Sequence, residues 1–254
     1  MLKCTTRTVI HGHYTDVRNR LFIKTLCDLF NDVANKQTLL LGVDVDTFQA
    51  RGITWMLHKI HIRVSRMPVK GEEVLLETWP SGADRLFATR DFHIVTPEGE
   101  ELVKLTSEWM VIDLERRRPV RLPENVLCLA KHYEGVVRDL SFELDVKTVP
   151  HEFTGARRFV ASYEHIDFNL HVTQASYVGW LTNSLPYDFL KSHKLEDLEV
   201  VFEHEVLPES EVDSAYLFHE EHDRTVVFHR VNAVSGDRTH CVARSVYMKE
   251  ERNV

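Results

Sequence analysis

Apolar side chains recur at helical spacing in the first part of the chain. Phe22, Ile23, Leu26, Phe30, Val33 and Leu40 follow an i, i+3, i+4 rhythm, with Gln37 on the same stripe. The spacing predicts a long helix there. Val178, Leu181, Leu185 and Phe189 keep the same period and predict a second. Apolar residues flank both stripes, so both helices are expected to be buried on most sides. After the first helix the period drops to two. From 56 to 65, Met56, His58, Ile60, Ile62 and Val64 alternate with Leu57, Lys59, His61, Arg63 and Ser65. Pro68 and Pro208 follow at matching places in the two halves, where a missing N–H ends a strand. Further strands are predicted over 74–79, 86–95 and 102–112, and again over 212–218, 225–234 and 240–248.

The two halves run in parallel. Asp16 opens Asp-Val-Arg-Asn-Arg-Leu and Asp167 opens Asp-Phe-Asn-Leu-His-Val, each ahead of a predicted helix. Asp84-Arg85 and Asp223-Arg224 each precede a long strand. The turn signals Pro97-Glu98-Gly99 and Ser235-Gly236-Asp237 each precede the last one. A shared order of this kind marks a repeat. The expected class is α+β with two repeats, 1–122 and 153–254, joined by a linker over 123–152. One long central helix wrapped by a curved antiparallel sheet resembles the hotdog arrangement, so the chain is expected to be a double hotdog. Hotdog units generally pair, because one helix cannot cover every face and edge of its sheet. Two units in one chain carry that pairing internally, and a homodimer of whole chains stays open.

Composition narrows the partners. Acidic residues outnumber basic ones 39 to 31, a net charge of -8, which argues against a non-specific nucleic-acid binder. Arg116, Arg117, Arg118 and Arg121 still form a local basic cluster, or a solvated turn. Cys4, Cys27, Cys128 and Cys241 are far apart, with no C-x-x-C pair, which suits a reducing compartment. Polar Lys3, Thr5, Thr6 and Arg7 follow Met1 in place of an apolar signal core. No apolar run approaches the roughly 18 residues of a membrane span. The expected location is cytoplasmic.

The chemistry-bearing candidates cluster at 167–171. Asp167, Asn169 and His171 stand just before the second helix, for which Thr173 is an N-cap candidate. A helix start leaves backbone N–H donors unpaired, and they can stabilise an oxyanion. An acid, an amide and an imidazole beside them can polarise a carbonyl, orient a water and move a proton. The plain alternative is a turn followed by a cap. The repeat separates the halves: the aligned positions of the first copy hold Asp16, Arg18 and Arg20, without amide or imidazole. Any chemistry is therefore expected in the second copy.

The run from Asp167 through Asn169 and His171 to Tyr177, Val178, Gly179 and Trp180 closely resembles the catalytic segment of the acyl-ACP thioesterases. That family includes the plant fatty-acid-releasing enzymes and their bacterial relatives. Phe202-Glu203-His204-Glu205-Val206 resembles the family's next element, a strand ending in an aromatic, two polar residues and a glutamate. The resemblance places Glu205 at the catalytic glutamate position. Val206 stands where many members carry cysteine, so a Cys-His nucleophile is unsupported. Thr54-Trp55, the run 71–79, Ser107-Glu108-Trp109 and the run 116–123 extend the likeness over about residues 5–250. No plant-type transit extension precedes it, which suggests a bacterial-type member.

Strict alternation would put Glu199, Val201, Glu203 and Glu205 on one face of a strand, and a row of glutamates is usually a solvated strand face. Glu203 and His204 are the alternatives if the register slips.

What the resemblance implies is hydrolysis of a fatty acyl-ACP in fatty acid biosynthesis, with Asp167, Asn169, His171 and Glu205 as catalytic residues. Glu205 or Asp167 would be general base or nucleophile, and an apolar slot in the first repeat would hold the acyl chain. The partner would be an acidic acyl carrier protein seeking basic surface at 116–121, Arg157 or Arg158. No cofactor is expected, because a thioester carbonyl is already electrophilic. No metal is expected either: His11-x-His13, placed on a strand, and His58 with His61 lack a clear third ligand. Rival readings are an acyl-CoA thioesterase, a dehydratase and a non-catalytic acyl-binding protein.

Overall fold

The computed structural model describes residues 3–132, 138–167 and 170–250. The chain divides into two compact units. The first comprises Met1–Thr15, Asn19–Leu21 and Asp28–Ser141, and the second Asp16–Arg18, Phe22–Cys27 and Phe142–Val254.

In the first half of the chain the elements are β1 (Cys4–Val9), α1 (Ile23–Leu41), α2 (Val45–Gln49), β2 (Ile53–Val64), β3 (Glu73–Ala83), β4 (Phe87–Val95), β5 (Glu101–Asp113), β6 (Arg118–Val120) and α3 (Glu124–Lys131). The sheet of the first unit runs β1-β3-β4-β5-β2, antiparallel throughout, with β6 added beside β5. Phe30 and Phe92 fix α1 on β4, their rings 4.9 Å apart. Val33, Ala34 and Gln37 share that buried face. Burying a side chain as large as Phe30 stabilises by about 1.5–3 kcal/mol.

In the second half follow β7 (Gly155–Val160), α4 (Gln174–Ser184), α5 (Tyr187–Ser192), β8 (His193–Phe202), β9 (Glu211–Glu221), β10 (Arg224–Ala233) and β11 (Thr239–Lys249). Their order is β7-β9-β10-β11-β8, again antiparallel. Strand for strand this is the order of the first unit, and α4 packs on β7, β9 and β10. The protein is α+β, built on antiparallel sheet.

The structure departs from the sequence pattern in four places. The second helical stripe is two helices: Leu185 is extended, at φ -70° and ψ 150°, and Pro186 caps α5. Proline crowds the residue before it out of helical geometry, so Leu185 and Phe189 belong to different elements. Secondly, α1 is buried along one face only; Leu39 and Leu40 are exposed. Thirdly, β1 and β7 precede the two Asp positions, where no strand is predicted. Fourthly, His11-x-His13 lies in a 3-10 turn, not a strand. The stretch 123–152 holds core residues: Val126 packs with Val43, Phe48, Val111 and Leu122 in the first unit, and Leu144 and Val149 with Val201 and Val242 in the second. Among the described residues no helix is long and apolar enough to cross a membrane.

Candidate active site

The loop before α4 folds back on itself. The Asp167 N–H donates to the His171 carbonyl at 2.9 Å, and the Leu170 N–H to the Asp167 carbonyl at 3.0 Å. Asp167 Oδ1 also accepts from the His171 N–H at 3.3 Å. Leu170 takes a left-handed conformation, φ +62°, to close this turn. Asn169 lies outside the described residues. Thr173 is the N-cap of α4, its Oγ1 accepting from the Ser176 N–H at 3.2 Å. Each polar atom that bonds locally here shapes the backbone and sets the direction of His171.

The other side of the site comes from the end of β8. That strand stops at Phe202, and the N–H groups of Glu203 and His204 both donate to the His240 carbonyl, at 2.9 and 3.1 Å. The chain then turns, and the Val172 N–H donates to the Val206 carbonyl at 3.1 Å. This turn brings Glu205 to His171. Glu205 Oε2 stands 2.7 Å from His171 Nε2, with the two side chains 39% and 23% exposed. That is hydrogen-bond distance, with Nε2–H the donor because a carboxylate can only accept.

The expected row of glutamates does not form. Glu199 is 1% exposed and accepts from the N–H groups of Glu143 and Leu144, at 2.8 and 3.0 Å. Glu205 lies past the strand, so strand alternation does not govern its direction. Of the two register alternatives, Glu203 is exposed, and His204 Nδ1 lies 2.8 Å from the Thr239 carbonyl.

Tyr177, in the first turns of α4, is 4% exposed and reaches the same loop. Its hydroxyl accepts from the Val206 N–H at 2.8 Å and donates to the His204 carbonyl at 3.3 Å. The sequence placed Tyr177 in a motif but not in this role. The signal for it is a tyrosine one helical turn after the Thr173 cap on a buried helix. Burial raises its phenol pKa, so it stays neutral and keeps both bonds. Burial likewise pushes the Cys241 thiol up, which leaves it a weak nucleophile.

The first copy uses its matching positions for support. Asp16 Oδ1 accepts from the Arg18 N–H at 2.8 Å. The Arg18 guanidinium pairs with Glu250 and donates to the carbonyls of Leu190 (3.1 Å) and His193 (2.5 Å) at the end of α5. A cation there suits the negative end of a helix.

The first unit holds a cavity of about 100 Å³. Leu41, Val43, Trp55, Ala83 and Trp109 supply apolar wall, with Arg90 among the polar residues of the lining. The other histidine candidates have partners of their own kind. His11 and His13 stack at 5.7 Å, His58 stacks on Phe87 at 5.5 Å, and His61 Nδ1 lies 2.6 Å from the Ser141 carbonyl. Among the described residues, no three His, Cys, Asp or Glu side chains are grouped to hold a metal.

Residues 2–129 match the acyl-ACP thioesterase N-terminal domain, and residues 150–249 match the C-terminal domain. The chain belongs to the acyl-ACP thioesterase family. The His171–Glu205 pair thus falls in the family's C-terminal domain and the cavity in its N-terminal domain. Among relatives of this thioesterase family member, a chloroplastic acyl-[acyl-carrier-protein] hydrolase of Cuphea viscosissima is 26% identical over 242 residues, which are 89% of this chain and 58% of the relative. A chloroplastic palmitoyl-acyl carrier protein thioesterase of Gossypium hirsutum is 27% identical over 168 residues, 61% of this chain and 39% of the relative. The chain therefore spans from two fifths to three fifths of the length of these relatives. Two solved structures share the fold. An acyl-ACP thioesterase from Bacteroides thetaiotaomicron superposes with a TM-score of 0.77 at 20% identity, over 96% of this chain and 97% of that one. A 12:0-ACP thioesterase from Umbellularia californica gives 0.82 at 17% identity, over 98% and 95%.

Proposed function

We propose that the protein is an acyl-ACP hydrolase that releases free fatty acid and carrier protein in fatty acid biosynthesis. The observation that carries this reading is the 2.7 Å contact between His171 and Glu205 inside the family's C-terminal domain. The Glu205 carboxylate takes a proton from a water whose oxygen attacks the thioester carbonyl carbon. The carbonyl electron pair moves to oxygen, and the intermediate collapses with loss of the thiolate. His171 gives its Nε2 proton to the leaving sulfur and recovers one from Glu205, which restores both groups, so water and thioester become acid and thiol. Asp167 holds the loop that aims His171, since its Oδ1 accepts the His171 N–H. Asn169 is assigned the carbonyl oxygen or the water. The donors at the start of α4 stabilise the oxyanion, a contribution of about 3 kcal/mol for a well-placed donor.

Each repeat is read as a hotdog, 1–122 holding the acyl chain and 153–254 the reacting groups, with 123–152 as the connection. The apolar cavity supports the first role. For the carrier protein, the exposed Arg116, Arg117, Arg118 and Arg121 are the favoured contact. Arg158 is engaged by Asp213 at 2.9 and 3.0 Å, and Arg157 donates to the Asn183 carbonyl. A cytoplasmic setting belongs to the same reading, in keeping with the widely spaced cysteines.

The test is incubation of purified protein with acyl-ACP and 3-hydroxyacyl-ACP, followed by mass spectrometry of both products. Free acid and carrier thiol are expected from the acyl substrate. Elimination of water without acyl release would replace hydrolase with dehydratase, and bound lipid without turnover would leave an acyl-binding protein.

A further inference from the structure

A general base is only as good as its placement, and a carboxylate on an exposed loop has freedom to leave its partner. Glu205 is 39% exposed in its side chain and lies beyond the last ladder bond of β8. Its own pairing with His171 is a surface contact of the kind that contributes little by itself. Something else must fix the loop.

Two bonds do so, and both end on one atom. The Tyr177 hydroxyl donates to the carbonyl of His204, the residue before Glu205, at 3.3 Å. It accepts from the N–H of Val206, the residue after Glu205, at 2.8 Å. Val206 is fully buried, so that N–H has no exposed route to solvent. The far side of Val206 is tied as well, its carbonyl accepting from the Val172 N–H at 3.1 Å, next to His171. The phenol ring is held by Phe202 edge-on at 5.6 Å and by Trp180 at 5.5 Å.

We propose that Tyr177 is a positioning residue for the hydrolysis, its hydroxyl bracketing the backbone on both sides of Glu205 so that the carboxylate is presented to His171. The inference rests on the thioesterase reading for its catalytic consequence, but the placement itself is a separate claim. A phenylalanine at 177 keeps the ring and its packing while removing both bonds. The loop then gains freedom, and displacement of a reacting group by about 1 Å is enough to lower turnover roughly 100-fold. A purely structural tyrosine would behave differently, because its loss would not depend on which residue occupies 205.

The experiment is a double-mutant cycle of Tyr177→Phe and Glu205→Gln in the full chain, with kcat and KM on acyl-ACP. Y177F is expected to lower kcat roughly 10- to 100-fold with KM unchanged, and to add nothing in the E205Q background. Wild-type kcat in Y177F, or an equal further loss on E205Q, overturns the proposal. A second readout does not need turnover: the imidazole Nε2–H proton resonance of His171, assigned by its loss in His171→Ala. It is expected downfield in the wild type and shifted or broadened in Y177F. If the wild type hydrolyses no thioester but this resonance responds, the thioesterase reading fails and the positioning stands. If hydrolysis is normal and the resonance ignores Y177F, the positioning fails alone. Should Y177F not fold, 3-fluorotyrosine at 177 keeps the ring and hydroxyl but weakens the acceptor. The same resonance is then expected to move, and an unmoved one counts against the proposal.

Discussion

His171 Nε2 and Glu205 Oε2 meet at 2.7 Å although they stand on different loops, one before α4 and one after β8. Each loop is fixed by bonds other than the pair itself: the Asp167 turn on one side, and the Tyr177, His240 and Val172 contacts on the other. Both side chains can therefore be changed without loss of fold. His171→Ala is expected to lower kcat by about 10²- to 10⁴-fold, the usual worth of a positioned acid or base. Thermal unfolding should shift little, because the imidazole is not a core group. A variant that unfolds would make His171 structural.

The cavity sets a steric limit. Ala34 lines it from the buried face of α1. Ala34→Phe is expected to fill space along the wall, so that hydrolysis of the longest accepted acyl chains is lost while shorter ones are still cleaved. The check is kcat/KM across an acyl-ACP length series. An unchanged length profile would move the acyl chain out of this cavity.

Stability should fall in acid because of His229. This imidazole is 1% exposed, bonds to Ser245 at 2.8 Å, and is pushed by burial from 6.5 down to about 3. Its folded value lies below its unfolded one, so the stability it allows is complete above pH 6.5. It is lost as pH falls from there toward 3, at about 1.4 kcal/mol per pH unit. His240 is depressed in the same direction, again chiefly by burial. Urea unfolding at pH 7, 6 and 5 should show the slope, and His229→Gln should flatten it. Equal slopes in the two proteins would reject His229 as the cause.

Gly155 opens β7 against the ring of Tyr216. A Cβ there would fall far inside contact distance of the Tyr216 hydroxyl and ring. Tyr216 itself packs edge-on to Phe218 at 5.2 Å, which restricts its retreat. Gly155→Ala is expected to destabilise by about 1–3 kcal/mol, measured by urea unfolding. Adding Tyr216→Ala should recover part of the clash term. No destabilisation in the single variant would mean the ring moves freely.

What the sequence displayed follows from how strongly each segment is patterned. The stripe through Phe30, Val33 and Gln37 and the runs of β3–β5 and β9–β11 carry long periods, and they appear where predicted. The edge strands β1 and β7 were hidden because Thr5, Thr6, Arg157 and Arg158 give them no apolar face. The helix break was written in Pro186, yet the apolar spacing of Leu185 and Phe189 masked it. His171 was legible as part of a motif. Glu205 was legible only through the family register, since strand alternation points the wrong way once β8 has ended. The Tyr177 bracket needs the turn after Phe202, which no period encodes.

The most direct test of the account is single-turnover hydrolysis of acyl-ACP by the wild type and by Glu205→Gln, with the released carrier thiol titrated. The wild type should release one thiol per acyl chain, and E205Q should slow that release by about 10²-fold or more while binding acyl-ACP as well. Release at the wild-type rate by E205Q would contradict the central claim that Glu205, held against His171, is the base.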